Sequence, residues 1–204
     1  MAEPFRTIVS RVIPLPAENV DTDQVIPARF LKRTGKAGLA GALFHDWRYL
    51  ADGSPDPAFV LNRREMQGRA ILLTGDNFGA GSSREHAPWA LVAWGIRVIL
   101  STGFADIFRN NAGKMGLVVA TVPDDAVHRL WEAIEEDPQL EIVVDVEHKR
   151  VAAPAIGLDV AFELDDFTQH RLLHGLDDIG LTLRHADAIS TYEARRAAFL
   201  PRVG

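Results

Sequence analysis

Three short runs, "RAILLTG" at 69–75, "RVILST" at 97–102 and "LVVATV" at 117–122, are almost wholly apolar and most constrain how this chain can fold. A strand with one wet face alternates polar and apolar residues. A run without that alternation has to be covered on both faces, as the strands of a parallel sheet are. These runs are too short for buried helices, and glycine or charged residues bound them. Helical spacing fills the gaps between them. Ala87, Ala90, Leu91 and Trp94 recur at helical intervals before Gly95, and "FADIFRNNAGKMG" makes a short helix with a turn. After "PDD", the positions Val127, Leu130, Trp131 and Ile134 mark an amphipathic helix that ends before Pro138. This order predicts parallel strands joined by right-handed crossovers.

The flanks follow another pattern. "LEIVVDVEHKRVAA" (140–153) reads as a hairpin turning near His148 and Lys149, with one more strand around "DVAFEL" (159–164). "TIVSRVIPL" and "QVIPARFL" near the N-terminus read as short strands with turns, and "ALFHDWRYLADG" as a short helix ending at Gly53. "LKRTGKAGLAG" (31–41) carries three glycines and three basic residues, the composition of a mobile loop. The tail has helical segments near 165–174 and 185–198. Antiparallel strands around a parallel centre predict an α/β fold: a β/β/α sandwich or half-barrel with a mixed sheet and C-terminal helices. Residues 1–204 are expected to form a single domain, with 165–204 as a helical extension.

Composition narrows the functions. Net charge is −6 with no long basic run, which argues against nucleic acid as a partner. The start, "MAEPFRTIVSRVIPL", lacks the apolar core of a signal peptide, and no window approaches the roughly 18 apolar residues of a membrane span. The cytoplasm is the expected compartment. There is no cysteine at all. That excludes disulfides, thiol catalysis and an iron–sulfur cluster held by this chain's own thiolates.

"GDNFGAGSSREHAPWAL" (75–91) is the stretch richest in chemistry. Ser82 with Glu85 three residues on matches the capping box that starts a helix. The glycines add a second reading. Gly79 and Gly81 permit close approach and expose amide N–H groups at a helix start, where carboxylate or phosphate binds. Arg84 adds a forked cation suited to a carboxylate. The two readings are compatible. Known motifs do not fit: arginine stands where G-x-G-x-x-G needs its third glycine, no G-K-[ST] follows, and G-x-S-x-G fails at both serines.

These residues carry a resemblance. "DNFGAGSSREHAPWAL" resembles the active-site loop of the swivelling domain of the aconitase superfamily. "DTDQVIPARFLKR" (21–33), "GFADIFRNNAGKMGL" (103–117) and "GLDDIGLTLRHADAISTYEARR" (175–196) resemble the family of 3-isopropylmalate dehydratase small subunits, of the bacterial leucine-biosynthesis type. The resemblance implies an aconitase swivel-domain-like fold. It also implies a hydro-lyase subunit that isomerises 2-isopropylmalate to 3-isopropylmalate by dehydration and rehydration, active only with a large subunit. In the family a [4Fe–4S] cluster acts as Lewis acid on three cysteines. No cofactor or metal is expected on this chain, so the cluster is expected on the large partner.

By motif position the resemblance makes Ser82 the base and Arg84 a carboxylate clamp, the two catalytic residues. Ser83 and Gly81 would hold a substrate carboxylate. Lys32 and Arg33 resemble the family's substrate-discriminating loop, although a solvated basic loop has the same composition. Glu85 and His86 would orient Arg84 from behind. Asp21 and Asp23 would line the pocket or form an Asx-turn, and the composition favours the turn. His170 and His174 have metal-ligand spacing, but "HRLLH" lacks the glutamate of H-E-x-x-H and reads as structural. Trp89, Trp94 and Trp131 read as core or interface residues. Related citramalate or homoaconitate hydro-lyases and a non-catalytic anion-binding module are the alternatives.

Overall fold

The structure, a computed structural model, describes residues 4–32, 38–81 and 84–196. In chain order the elements are β1 (Thr7–Leu15), α1 (Thr22–Val25), α2 (His45–Arg48), β2 (Ile71–Thr74), α3 (His86–Trp94), β3 (Val98–Ser101), α4 (Asp106–Lys114), β4 (Val118–Thr121), α5 (Asp124–Glu136), β5 (Glu141–Asp145), β6 (Arg150–Ala153), β7 (Leu158–Ala161), α6 (Asp166–His174), α7 (Asp178–Leu183) and α8 (Ala186–Ala194). The strands form one seven-stranded sheet in the order β4-β3-β2-β1-β5-β6-β7. From β1 to β4 the pairing is parallel; from β1 through β5 and β6 to β7 it is antiparallel.

The mixed sheet turns on β1. Its residues 7–11 pair with β5 and its residues 12–15 pair with β2, so each half of the strand belongs to a different half of the sheet. The sheet curls until its edges touch: Glu163, just past β7, donates its N–H to Thr121 O at 3.4 Å. The result is the expected half-barrel.

Side-chain alternation explains why the parallel strands are apolar throughout. Ile13, Leu72, Ile99 and Val119 point into one core with Val25, Leu43, Phe44, Phe78, Leu91 and Phe108. Their neighbours Val12, Ile71, Leu73, Val98, Leu100 and Val118 point into the other, against Val127, Leu130 and Ile134 of α5 and the inward residues of β5 to β7. Every position is covered from one side or the other.

Three elements differ from the sequence expectation. "QVIPARFL" is not a strand. Asp21 caps α1 in a capping box with Gln24, and a 3-10 turn follows at Ala28–Phe30. The 42–53 helix shrinks to the single turn α2, with Phe44 left-handed at φ 48° before it. An extra helix, α7, starts where the Asp177 side chain accepts the Gly180 N–H at 2.7 Å. The tail is not uniformly peripheral: Leu172 of α6 is 2% exposed, and its carbonyl accepts the Phe5 N–H. The hairpin turn falls where expected, with Lys149 at φ 53° and Asp145 accepting from the His148 N–H. Trp89 and Trp94 pack against one core and Trp131 against the other. Among the described residues no helix is long and apolar enough to cross a membrane.

Candidate active site

Parallel strands send their C-terminal ends to the same side of a sheet, and the loops that follow converge there. Here the loops after β1, β2 and β3 are stitched together by backbone hydrogen bonds. Gly79 and Ala80 donate to Val20 O at 2.8 and 3.1 Å, and Thr22 donates back to Ala80 O at 2.9 Å. On the other side Phe78 donates to Gly103 O, and Ala105 donates to Phe78 O, both at 3.1 Å. The Ser101 hydroxyl, fully buried, lies between Gly75 O at 2.6 Å and Gly103 O at 2.8 Å. Asn19 and Asn77 are both left-handed, at φ 53° and 54°, and share an amide hydrogen bond of 2.8 Å. The glycine loop is therefore held at both flanks before the chain reaches Ser82.

The glycines face parts of the chain itself. Gly79 has φ +82°, and a Cβ there would run into the Phe108 side chain. Gly81 has φ +91°, and a Cβ there would strike the Asp21 carboxylate. Both conformations are ones that L side chains rarely adopt. Phe78, Phe104 and Phe108 close the underside, with Phe78 edge-on to Phe108 at 5.2 Å between centroids.

Arg84 stands where this loop meets α3. Its side chain is 17% exposed, and Nη1 forms an ion pair with the Asp23 carboxylate of α1. No second ion-pair or hydrogen-bond partner for this guanidinium occurs among the described residues. The fork thus keeps donors for an external carboxylate while one edge is fixed. Asp21 supports the arrangement from below, since it caps α1, accepts the Asp23 N–H at 2.6 Å and lies against Gly81.

The expected site residues fall into three groups. Gly81, Arg84, Asp21 and Asp23 come together. Asp21 forms the expected turn, and the Asp23 carboxylate pairs with the Arg84 guanidinium. Glu85 is exposed at the N-cap of α3 and makes no side-chain cap bond, while His86 packs on Trp89 at 4.7 Å between ring centroids. The helix begins at His86 with Glu85 as its N-cap, and the serine of the matched capping box, Ser82, lies outside the described residues. Lys32 is exposed beyond the 3-10 turn. Arg33, Ser82 and Ser83 lie outside the described residues. Ser101 and Asn19 were missed. Only Asn19 carried a local signal, as an asparagine in a turn-forming "AENVD".

The His170 and His174 rings meet in a tilted contact at 4.2 Å between centroids, and His170 Nε2 is 2.7 Å from Arg184 Nη1. Burial, the His174 ring and the Arg184 cation together hold the His170 pKa below its ordinary value. A ring nitrogen accepting from a guanidinium is committed to a structural bond.

The family described as "Aconitase C-terminal domain" matches residues 2–125, the part of the chain that holds the parallel strands, the glycine loop and Arg84, which makes this an aconitase-type domain. The tail, 178–203, matches a second family, described as the C-terminal domain of the 3-isopropylmalate dehydratase small subunit. The chain is 55% identical to the 3-isopropylmalate dehydratase small subunit of Anaeromyxobacter dehalogenans, covering 95% of this chain and 99% of that one. It is 50% identical to the protein of that name from Roseiflexus sp. (strain RS-1), covering 96% of each. The crystal structure of a 3-isopropylmalate dehydratase from Methanocaldococcus jannaschii superposes with a TM-score of 0.67 over 91% of this chain and 99% of that one, at 22% identity. That likeness is one of fold. This chain belongs to the family of 3-isopropylmalate dehydratase small subunits.

Proposed function

We propose that this chain is the small subunit of a hydro-lyase that interconverts 2-isopropylmalate and 3-isopropylmalate through 2-isopropylmaleate, in leucine biosynthesis, working with a large subunit. The observation that carries the reading is the Arg84 guanidinium, mostly buried, fixed on one side by Asp23 and placed directly after the glycine loop. Proton removal beside a carboxylate builds negative charge, and a preorganised cation there lowers the barrier without reorganisation. In this reading Arg84 clamps one substrate carboxylate, with the Ser83 hydroxyl and the amides near Gly81 as further donors. Ser82 takes the proton. A serine hydroxyl is a weak acid, so the cation and amide donors around it have to stabilise the alkoxide. Lys32 and Arg33 serve the distal end of the diacid, and the cytoplasm is the working compartment.

The [4Fe–4S] cluster implied by the family does not fit this chain. The sequence has no cysteine, and among the described residues no group of three His, Asp or Glu side chains converges. We assign the cluster to the large partner. The test is Ser82→Ala in the pair reconstituted with a large subunit. Turnover should fall by orders of magnitude while circular dichroism and co-elution of the pair are unchanged. Unchanged turnover would remove Ser82 from the base role.

A further inference from the structure

β5 leaves β1 at Arg11, and among the described residues no strand pairs with Val12–Leu15 on that flank. Pro14 and Pro16, which lack N–H groups, lie along the bare edge. A cleft of about 550 Å³ opens there, between α5 and the 3-10 turns at Val60–Asn62 and Arg64–Met66. Phe59, Val60, Met66, Trp131, Ile134 and Pro14 give it apolar wall area, and Arg63, Glu65, Arg69 and Glu135 complete the lining. None of the residues around Arg84 lines it.

Arg69 also lines this cleft, and it is 4% exposed. Its Nη1 donates to Val12 O at 2.6 Å and its Nε to Glu65 O at 2.9 Å, while Nη2 is buried with no hydrogen-bond partner among the described residues. Among the described residues no carboxylate forms an ion pair with it. A buried cation without a counter-ion is costly, by several kcal/mol in general. Burial and the nearby Arg11 lower its pKa, and Glu65 acts the other way. Two backbone carbonyls explain the position of this guanidinium; they do not neutralise its charge.

We infer that this cleft binds a small monocarboxylate with a short apolar body, its charge turned toward Arg69 and its body against Phe59, Val60 and Trp131. Dimensions and lining suit a small molecule. Arg63, Glu65 and Glu135 add one positive and two negative charges to the lining, which with Arg69 leaves no net excess of positive charge for a second carboxylate. An added peptide strand is disfavoured too, since the two prolines remove donors from the edge it would pair with.

The probe is 3-methylbutanoate, titrated into the full chain and followed by tryptophan fluorescence and thermal unfolding. Saturable binding in about the millimolar range is expected for a ligand of this size. The uncharged isostere 3-methylbutanamide should bind at least about tenfold more weakly, because it loses the charge-assisted bond. Ala58→Trp, at an exposed wall position, fills the cleft from outside the core and should abolish binding with the fold intact. Trp131→Phe should erase the fluorescence change. Equal responses to acid and amide, no saturation, or binding that survives Ala58→Trp would each overturn the proposal. These tests do not depend on whether Arg69→Gln folds, and survival of binding in Ala58→Trp would place the anion elsewhere, at Arg84 included.

Discussion

Gly79 and Gly53 both sit at φ +82°, but a Cβ on Gly53 would meet nothing within 4 Å whereas one on Gly79 would run into Phe108, itself 2% exposed. Substituting alanine at each therefore separates backbone strain from collision. At Gly53 the left-handed conformation costs about 1–2 kcal/mol, and about 0.4–1 kcal/mol returns because alanine restricts the unfolded chain. The net loss is roughly 0–1.6 kcal/mol. At Gly79 the same strain is joined by overpacking of a well-filled core, a further cost of about 1–3 kcal/mol. Urea unfolding should give Gly79→Ala a midpoint lower than Gly53→Ala, with similar m-values. In a chain of this size the difference corresponds to roughly 2–4 °C in Tm per kcal/mol. Gly79→Ala should also reduce turnover of the reconstituted pair, because the displaced loop leads directly to Arg84. Equal destabilisation by the two variants would refute the claim that Phe108 fixes the loop.

The hairpin offers a pH test. The Asp145 carboxylate raises the His148 pKa, so its stabilisation is complete below the ordinary value of 6.5 and is lost as pH rises through the raised folded value. Unfolding followed from pH 6 to pH 8 should show a decline that His148→Gln reduces, and an identical profile in the variant would contradict the assignment. Arg171 is 5% exposed and ties α7 to the body through Asp178 at 2.9 Å and through Leu176 O. Arg171→Leu should raise amide hydrogen exchange across 178–194, with the parallel strands unaffected; unchanged protection of the tail would show that it is held elsewhere.

Much of the fold was legible because burial on two faces leaves so plain a mark. "AILLT", "VILS" and "VVAT" contain almost no polar residue, and the hairpin carried its turn in the sequence. The edge-to-edge contact between Thr121 and Glu163 left no such mark, since it depends on how far the sheet curls. Short elements were misread for a related reason. In "QVIPARFL" the apolar residues resemble a strand, and only the capping of α1 by Asp21 decides otherwise. The serine–glutamate spacing matched a local pattern, yet α3 starts at His86, where the stitched loops deliver the chain. The place of Arg84 beside the glycine loop was readable from its neighbours. Its partner Asp23 was not, because an ion pair between the loops after β1 and β2 is set by the parallel sheet and by no local spacing.

A double-mutant cycle on the reconstituted pair tests the central claim most directly: kcat/KM for isopropylmalate isomerisation with Arg84→Gln, Asp23→Asn and both together. If Asp23 acts by aiming Arg84, Arg84→Gln should cost about 10²–10³-fold, comparable to removing a preorganised donor. Asp23→Asn alone should cost less, and the double variant should be no worse than Arg84→Gln. Independent, additive losses, or full activity without the guanidinium, would contradict the account.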